Sequence, residues 1–233
     1  MAELDTKRDT GLSSYLRLRE LIATGRLAPG APLIEADLSK RLGVSRTPVR
    51  AALQRLQQEG FAAQSPVGET LRPIVSPLTS DDLCEVFLMV GALEASAAHA
   101  AASLERSARE ALACELEQVN AGLRAATDAR PPDLASAHAL HARFHRLLAG
   151  AAAGPRLRGE LDVLLPQAER YARAYAPATW YALEETLHEQ GAIVAALRAG
   201  DGDAAEQHVA GSWRRSVDHY RRVIAMVGEQ GTW

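Results

Sequence analysis

Three histidines, His138, His141 and His145, recur at i, i+3 and i+7, so a helix carrying them projects all three from one face. Neutral imidazole is the usual ligand of zinc-like ions and the side chain most readily poised to move a proton near neutral pH. The row therefore points first to metal or proton chemistry. Catalysis by such a row needs more than the histidines: a metalloprotease-type helix reads His-Glu-x-x-His, whereas Ala142 follows His141 here. No glycine-rich phosphate loop, Gly-x-Ser-x-Gly elbow or Cys-His pair accompanies it. The alternative of a metal-assisted hydrolase thus lacks its essential glutamate, and the chain is expected not to be an enzyme. A second group, Ser45-Arg46-Thr47-Pro48-Val49-Arg50, has a different chemistry. Arginine can donate two hydrogen bonds to the O6/N7 edge of guanine, and hydroxyls and backbone amides at a helix start can hold phosphates.

The elements that must position these groups are marked by glycine and proline. A helix is expected over about Ser13 to Thr24, with Tyr15, Leu18, Leu21 and Ile22 on one face, Gly25 at its C-terminal end and Pro29-Gly30 beyond. A short extended piece, Ala31 to Ile34, precedes a helix carrying Leu38 and Leu42. Gly43 turns the chain, Ser45 is placed as N-cap, and Pro48 sits in the first turn of the next helix, where no backbone donor is lost. Val49, Leu53, Leu56 and Phe61 point to a core, which leaves Arg46, Thr47 and Arg50 on the opposite side, and Gly60 closes the helix. Two short strands around Ser65-Pro66-Val67-Gly68, the second running Glu69 to Val75, read as a hairpin. Two helices, a tight turn and a hairpin in that order make a winged helix-turn-helix.

After Ser76-Pro77-Leu78 nearly everything is helical. Alanine-rich amphipathic stretches cover roughly 80–102, 107–126, 133–152, 155–175, 179–199 and 202–227, a six-helix antiparallel bundle. The expected organisation is a flexible N-terminus (1–12), the winged helix (13–75), a linker (76–79), an all-helical domain (80–228) and a C-terminal tail (229–233). Charge divides along the same line: residues 1–75 carry 11 basic and 8 acidic side chains, net +3, and the rest 15 and 21, net −6. A basic head on an acidic body suits nucleic-acid binding by the head. No apolar run is expected to approach membrane-spanning length, no secretory signal opens the chain, and Cys84 and Cys114 cannot form a disulfide scaffold, so a cytoplasmic location is expected.

Residues Gly25-Arg26-Leu27-Ala28-Pro29-Gly30, Leu42-Gly43-Val44-Ser45-Arg46-Thr47-Pro48-Val49-Arg50, Leu53-Gln54-Arg55-Leu56 and Glu59-Gly60 resemble the GntR family of bacterial transcription regulators. The helical remainder resembles the FadR-type effector domain called FCD. The resemblance implies that Ser45, Arg46, Thr47 and Arg50 contact operator DNA and that the turn at Gly68 reaches the minor groove as the wing. Val67 replaces the basic residue that often precedes that glycine in the family, which leaves Arg72 as a phosphate partner. It further implies a homodimer on palindromic double-stranded DNA, repressing transcription in response to a small-molecule effector.

The FCD resemblance also implies a divalent metal, held by an aspartate and a histidine one helical turn apart and two later histidines. His145 matches, but His141 stands in place of the aspartate, and Gln190 and Ser212 in place of the later histidines. With the family ligand set degraded at His141, Gln190 and Ser212, the resemblance alone establishes no cofactor. The alternative is a rearranged site for a Zn-, Ni- or Mn-type ion on His141 and His145, with His138 and His208 as substitutes. Val90 occupies the place of a family arginine four residues before Leu93-Glu94. A pocket of Phe87, Val90, Glu94, His141, His145, Gln190 and Ser212, taking a neutral or weakly acidic molecule, is expected.

Overall fold

A computed structural model describes residues 2–67, 70–179 and 183–232. The chain divides into two compact units, one comprising Met1–Thr79 together with Glu229–Trp233, the other Ser80–Gly228.

The first unit orders α1 (Ala2–Ala23), α2 (Glu35–Leu42), α3 (Arg46–Gln58), β1 (Ala62–Val67) and β2 (Thr70–Val75). Tyr15, Leu18 and Ile22 of α1, Leu38 and Leu42 of α2, and Val49, Ala52, Leu53 and Leu56 of α3 are buried together with Phe61. Between α2 and α3, Gly43 takes φ +70°, the left-handed conformation that lets two helices meet across so short a turn. β1 and β2 pair antiparallel from Ala62↔Val75 to Val67↔Thr70, and the extended segment before α2 joins them through a Pro32↔Ile74 bridge. This is the expected winged helix.

Three features of this unit correct the sequence expectations. The first helix starts at Ala2, not near Ser13, because residues 2–12 are rich in helix formers and contain no proline, so the supposed flexible N-terminus continues it. The supposed linker is pinned: Leu78 is buried and exchanges two backbone bonds with Gln230, at 2.9 and 3.1 Å. The supposed C-terminal tail is accordingly part of the first unit. Gly231, at φ +77°, lies so close to Pro29 and Gly30 that a Cβ would stand 2.5 Å from their backbone, so no other residue fits there unshifted.

The second unit contains α4 (Ser80–Ala102), α5 (Arg106–Asp128), α6 (Leu134–Ala152), α7 (Pro155–Ala174), α8 (Ala176–Thr179), α9 (Leu183–Ala199) and α10 (Gly202–Val227). These are the six expected helices plus a single turn, α8. Of the helix expected over 179–199, α9 covers Leu183–Ala199, and residues 180–182 lie outside the described residues. Asp133 and Asp201 cap α6 and α10, accepting from the amides of Ser136 (3.0 Å) and Ala204 (2.9 Å). α10 lies along α4, and α5 packs on both α6 and α9. Gly91 permits the closest approach of the first pair, since a Cβ there would sit 2.8 Å from the Trp213 Cβ. Contrary to expectation, α4 is long and apolar enough by composition to cross a membrane, with a mean hydropathy of 1.4; half of that stretch is buried inside this unit. Its alanines serve close helix packing: Ala97, Ala98, Ala101 and Ala102 are fully enclosed.

Candidate nucleic-acid interface and ligand cavity

In the first unit, Ser45, Arg46, Thr47 and Arg50 are all exposed at the N-terminal end of α3, while Val49, Leu53 and Leu56 fill the core beneath. Ser45 occupies the N-cap position with extended backbone, but its hydroxyl makes no capping bond and is left to an outside acceptor. The open amides of the first turn add an anion-binding end. Arg50 is held by Glu35, the first residue of α2, through Nε to Oε1 and Nη2 to Oε2, both at 2.8 Å. The Arg50 hydrogen bond keeps the Glu35 carboxyl below the usual carboxylate range. On the other side of α3, Arg55 bonds Glu59 at 2.8 Å and lies 3.8 Å from the centre of the Tyr15 ring, whose hydroxyl also donates to Glu59. That cluster ties α3 to α1 and fixes the angle at which the reading end is offered. Arg72 is exposed on β2 opposite Ser65. The expected wing tip, Gly68, lies outside the described residues.

In the second unit, Glu94 of α4 is fully buried and joins three helices. It accepts from Trp213 Nε1 of α10 at 2.5 Å and contacts His145 Nδ1 of α6 at 2.8 and 2.9 Å. His145 Nε2 is in turn 3.3 Å from His141 Nε2. Burial alone would lower the His145 pKa, but the Glu94 charge and hydrogen bond override it and hold it above the ordinary value. Burial, and then the His145 charge, push His141 well below its ordinary value. These directions fit a cationic His145 that donates to Glu94 from one nitrogen and to neutral His141 from the other. Burial, followed by Arg173 and Arg146, brings His138 down to about 4, so it too is neutral near pH 7.

A two-lobed cavity opens beside this chain. His138, His141, Ala172, Thr186, Ser216 and Tyr220 line both lobes, which measure about 110 and 40 Å³. The smaller lobe adds Phe87, His145, Ser212 and Trp213, and the larger adds Glu185, Glu189 and Arg215. Phe87 meets Trp213 and Tyr220 edge-on, with ring centres 5.1 and 5.4 Å away. Burial pushes the Tyr220 phenol up to about 12, which keeps it a neutral donor. The Arg215 guanidinium is already engaged by Glu189, which also accepts from Ser212 at 2.5 Å.

Of the seven residues expected in the pocket, Phe87, His141, His145 and Ser212 line it. Val90, Glu94 and Gln190 do not: all three are buried, and Glu94 acts on the cavity through His145. Sequence reasoning missed Thr186, Glu189, Trp213, Arg215, Ser216 and Tyr220. One signal was present, because Ser216 follows Ser212 by one helical turn and Tyr220 by two.

The donor set does not fit a divalent metal ion. The Nε2 atoms of His141 and His145 face each other at 3.3 Å, Ser212 is engaged by Glu189, His208 is exposed, and Gln190 is not among the residues that line the cavity. Among the described residues, no group of three or more His, Cys, Asp or Glu side chains is arranged to hold one.

An exposed, arginine-bearing helix end above a winged-helix core defines a DNA-binding regulator of the helix-turn-helix class. Residues 12–66 match the family described as bacterial regulatory proteins, gntR family, and residues 85–215 match the FCD domain. The chain belongs to the GntR family of transcriptional regulators, in its FCD-bearing branch. It is 30% identical over 141 residues, 60% of this chain and 80% of the relative, to an uncharacterized HTH-type transcriptional regulator of Agrobacterium vitis from the TAR-I ttuE-ttuC' intergenic region. It is also 30% identical over 187 residues, 79% of this chain and 77% of the relative, to a probable D-xylose utilization operon transcriptional repressor of Paenarthrobacter nicotinovorans. The solved E. coli McbR/YncC structure superposes with a TM-score of 0.70 at 22% identity, covering 91% of this chain and 97% of that one, a likeness of fold.

Proposed function

We propose that this regulator is a cytoplasmic, homodimeric repressor without catalytic activity, whose grip on a palindromic operator is altered by a small molecule in the α6–α10 cavity. The observation that carries the reading is that one chain holds both an exposed α3 N-terminus, bearing Ser45, Arg46, Thr47 and Arg50, and a polar cavity in a separate helical unit. A two-fold protein reading a two-fold site doubles the contacts of so small a head. Exposed Leu88 and Met89 on α4 offer apolar surface to a second copy. Arg72 supplies a phosphate contact from the hairpin.

The effector is neutral or weakly acidic and is bound without metal. Neutral His138 and His141, the hydroxyls of Ser216 and Tyr220 and the aromatic wall favour hydrogen-bonding, uncharged groups, and Arg215 is already neutralised by Glu189. Because one relative is named for D-xylose utilization, pentoses and polyols lead the panel of candidates. The test is a thermal-shift and operator-release screen of aldoses, polyols and dicarboxylates, with and without EDTA, on protein of measured metal content. A neutral ligand that alters operator binding irrespective of EDTA supports the reading; release by a dicarboxylate only when metal is present overturns it. Equal affinity for palindrome and half-site would remove the dimer.

A further inference from the structure

We infer that Glu35 is a specificity-determining positioning residue, which aims Arg50 at a base edge while discouraging contact with DNA of any other sequence. This rests on the reading of Arg50 as a base contact. The Glu35 carboxylate takes one side of the guanidinium, Nε–H and one Nη2 hydrogen, at 2.8 Å each. One Nη1 hydrogen and the second Nη2 hydrogen remain side by side at the far end of the plane. That end carries the paired donors that guanine O6 and N7 accept, so Arg50 can keep Glu35 and read a guanine at once.

Holding the plane matters because the Arg50 side chain is 63% exposed and otherwise samples many rotamers. Glu35 is itself fixed. It opens α2 beside Asp37, where the helix end favours acids, and Leu33, two residues earlier, is tied to Pro73 by a 2.8 Å backbone bond. The carboxylate acts on the rest of the DNA in the opposite sense: a negative charge beside Arg46 and Arg50 repels phosphates wherever no base contact compensates. Glu35 therefore strengthens the operator complex and weakens the non-specific one.

The test uses the full chain, the palindrome that the wild type enriches from a random duplex library, and a scrambled duplex of equal length. Affinities are followed by fluorescence anisotropy across a salt series, with melting temperature as the folding control. E35Q is expected to weaken operator binding roughly five- to tenfold, while the scrambled duplex binds as tightly as before or a few-fold tighter. R50A costs at least as much operator affinity, and E35Q adds no further loss in the R50A background. Loss by E35Q on both duplexes in parallel would reveal a merely structural role and overturn the inference. So would tighter operator binding, which would make Glu35 a brake on Arg50. If R50A costs discrimination and E35Q does not, the inference fails alone; if R50A costs nothing, base reading by Arg50 fails first and takes the inference with it.

Discussion

The two units place their working groups in opposite ways. The winged helix sets Ser45, Arg46, Thr47 and Arg50 on its surface and uses its buried residues only for support, whereas the helical unit buries Glu94 and lines its cavity with the half-buried His141 and His145 that Glu94 holds. In the first, a working side chain can change with little effect on the fold. In the second, the groups that shape the cavity also hold the helices together, so specificity and stability are drawn from the same contacts.

That contrast can be broken by mutation. The largest effect is expected from Glu94→Ala, which leaves a charged His145 and the Trp213 N–H facing a void; a loss of about 3–5 kcal/mol should appear in urea unfolding followed by circular dichroism. A loss below about 1 kcal/mol would mean that the buried chain is not what binds α4, α6 and α10 together. Next comes Leu56→Ala, removing a fully buried α3 side chain at a cost of about 2–5 kcal/mol. If the units melt separately, calorimetry will show one transition lowered and the other unmoved. Arg46→Ala sharpens the comparison from the other side: operator discrimination should fall roughly tenfold or more with no change in melting temperature.

A smaller effect is expected from pH. An imidazole depressed from 6.5 to about 4, as His138 is, takes its proton in the unfolded chain first, so stability falls as pH drops from 6.5 towards 4. His141 adds in the same direction. His145 is raised, so its contribution is complete below pH 6.5 and disappears as pH rises through its folded value. His138→Asn should flatten the acid limb in that window without touching the alkaline one, read as melting temperature against pH. The smallest effect belongs to Arg198→Ala. Its bonds to Glu110 (3.0 and 3.1 Å) and Glu117 (2.6 and 3.0 Å) lie at the surface, and salt-screened pairs of this kind should leave the melting temperature within error.

The reading head was legible because its determinants are local. Gly25, Gly43 and Gly60 mark turns, Pro48 a helix start, and the 3.6-residue spacing of Val49, Leu53 and Leu56 separates core from surface. Helix ends in the second unit were legible for the same reason, through Gly154-Pro155 and Gly200. The cavity was less so, because α6 and α10 are brought to one site through α4, which packs on both, and Glu94 and Trp213 are 119 residues apart. Counting positions against a family pattern placed Gln190 and Val90 in the pocket, where burial removes them. The Arg50–Glu35 fork escaped notice because the partners lie on different helices, beyond the reach of any single-helix spacing rule.

The Leu78–Gln230 bridge has a consequence for how the molecule is made. A ribosome delivers Leu78 long before Gln230, with the entire helical unit emerging in between. The DNA-reading unit therefore waits for its last segment until the helical unit has been synthesised, and a chain interrupted anywhere within that unit leaves Leu78 without its backbone partner. Completion of the head is thus tied to completion of the helical unit, so that a chain cut short within the FCD domain also lacks part of the unit that bears the DNA-reading helix.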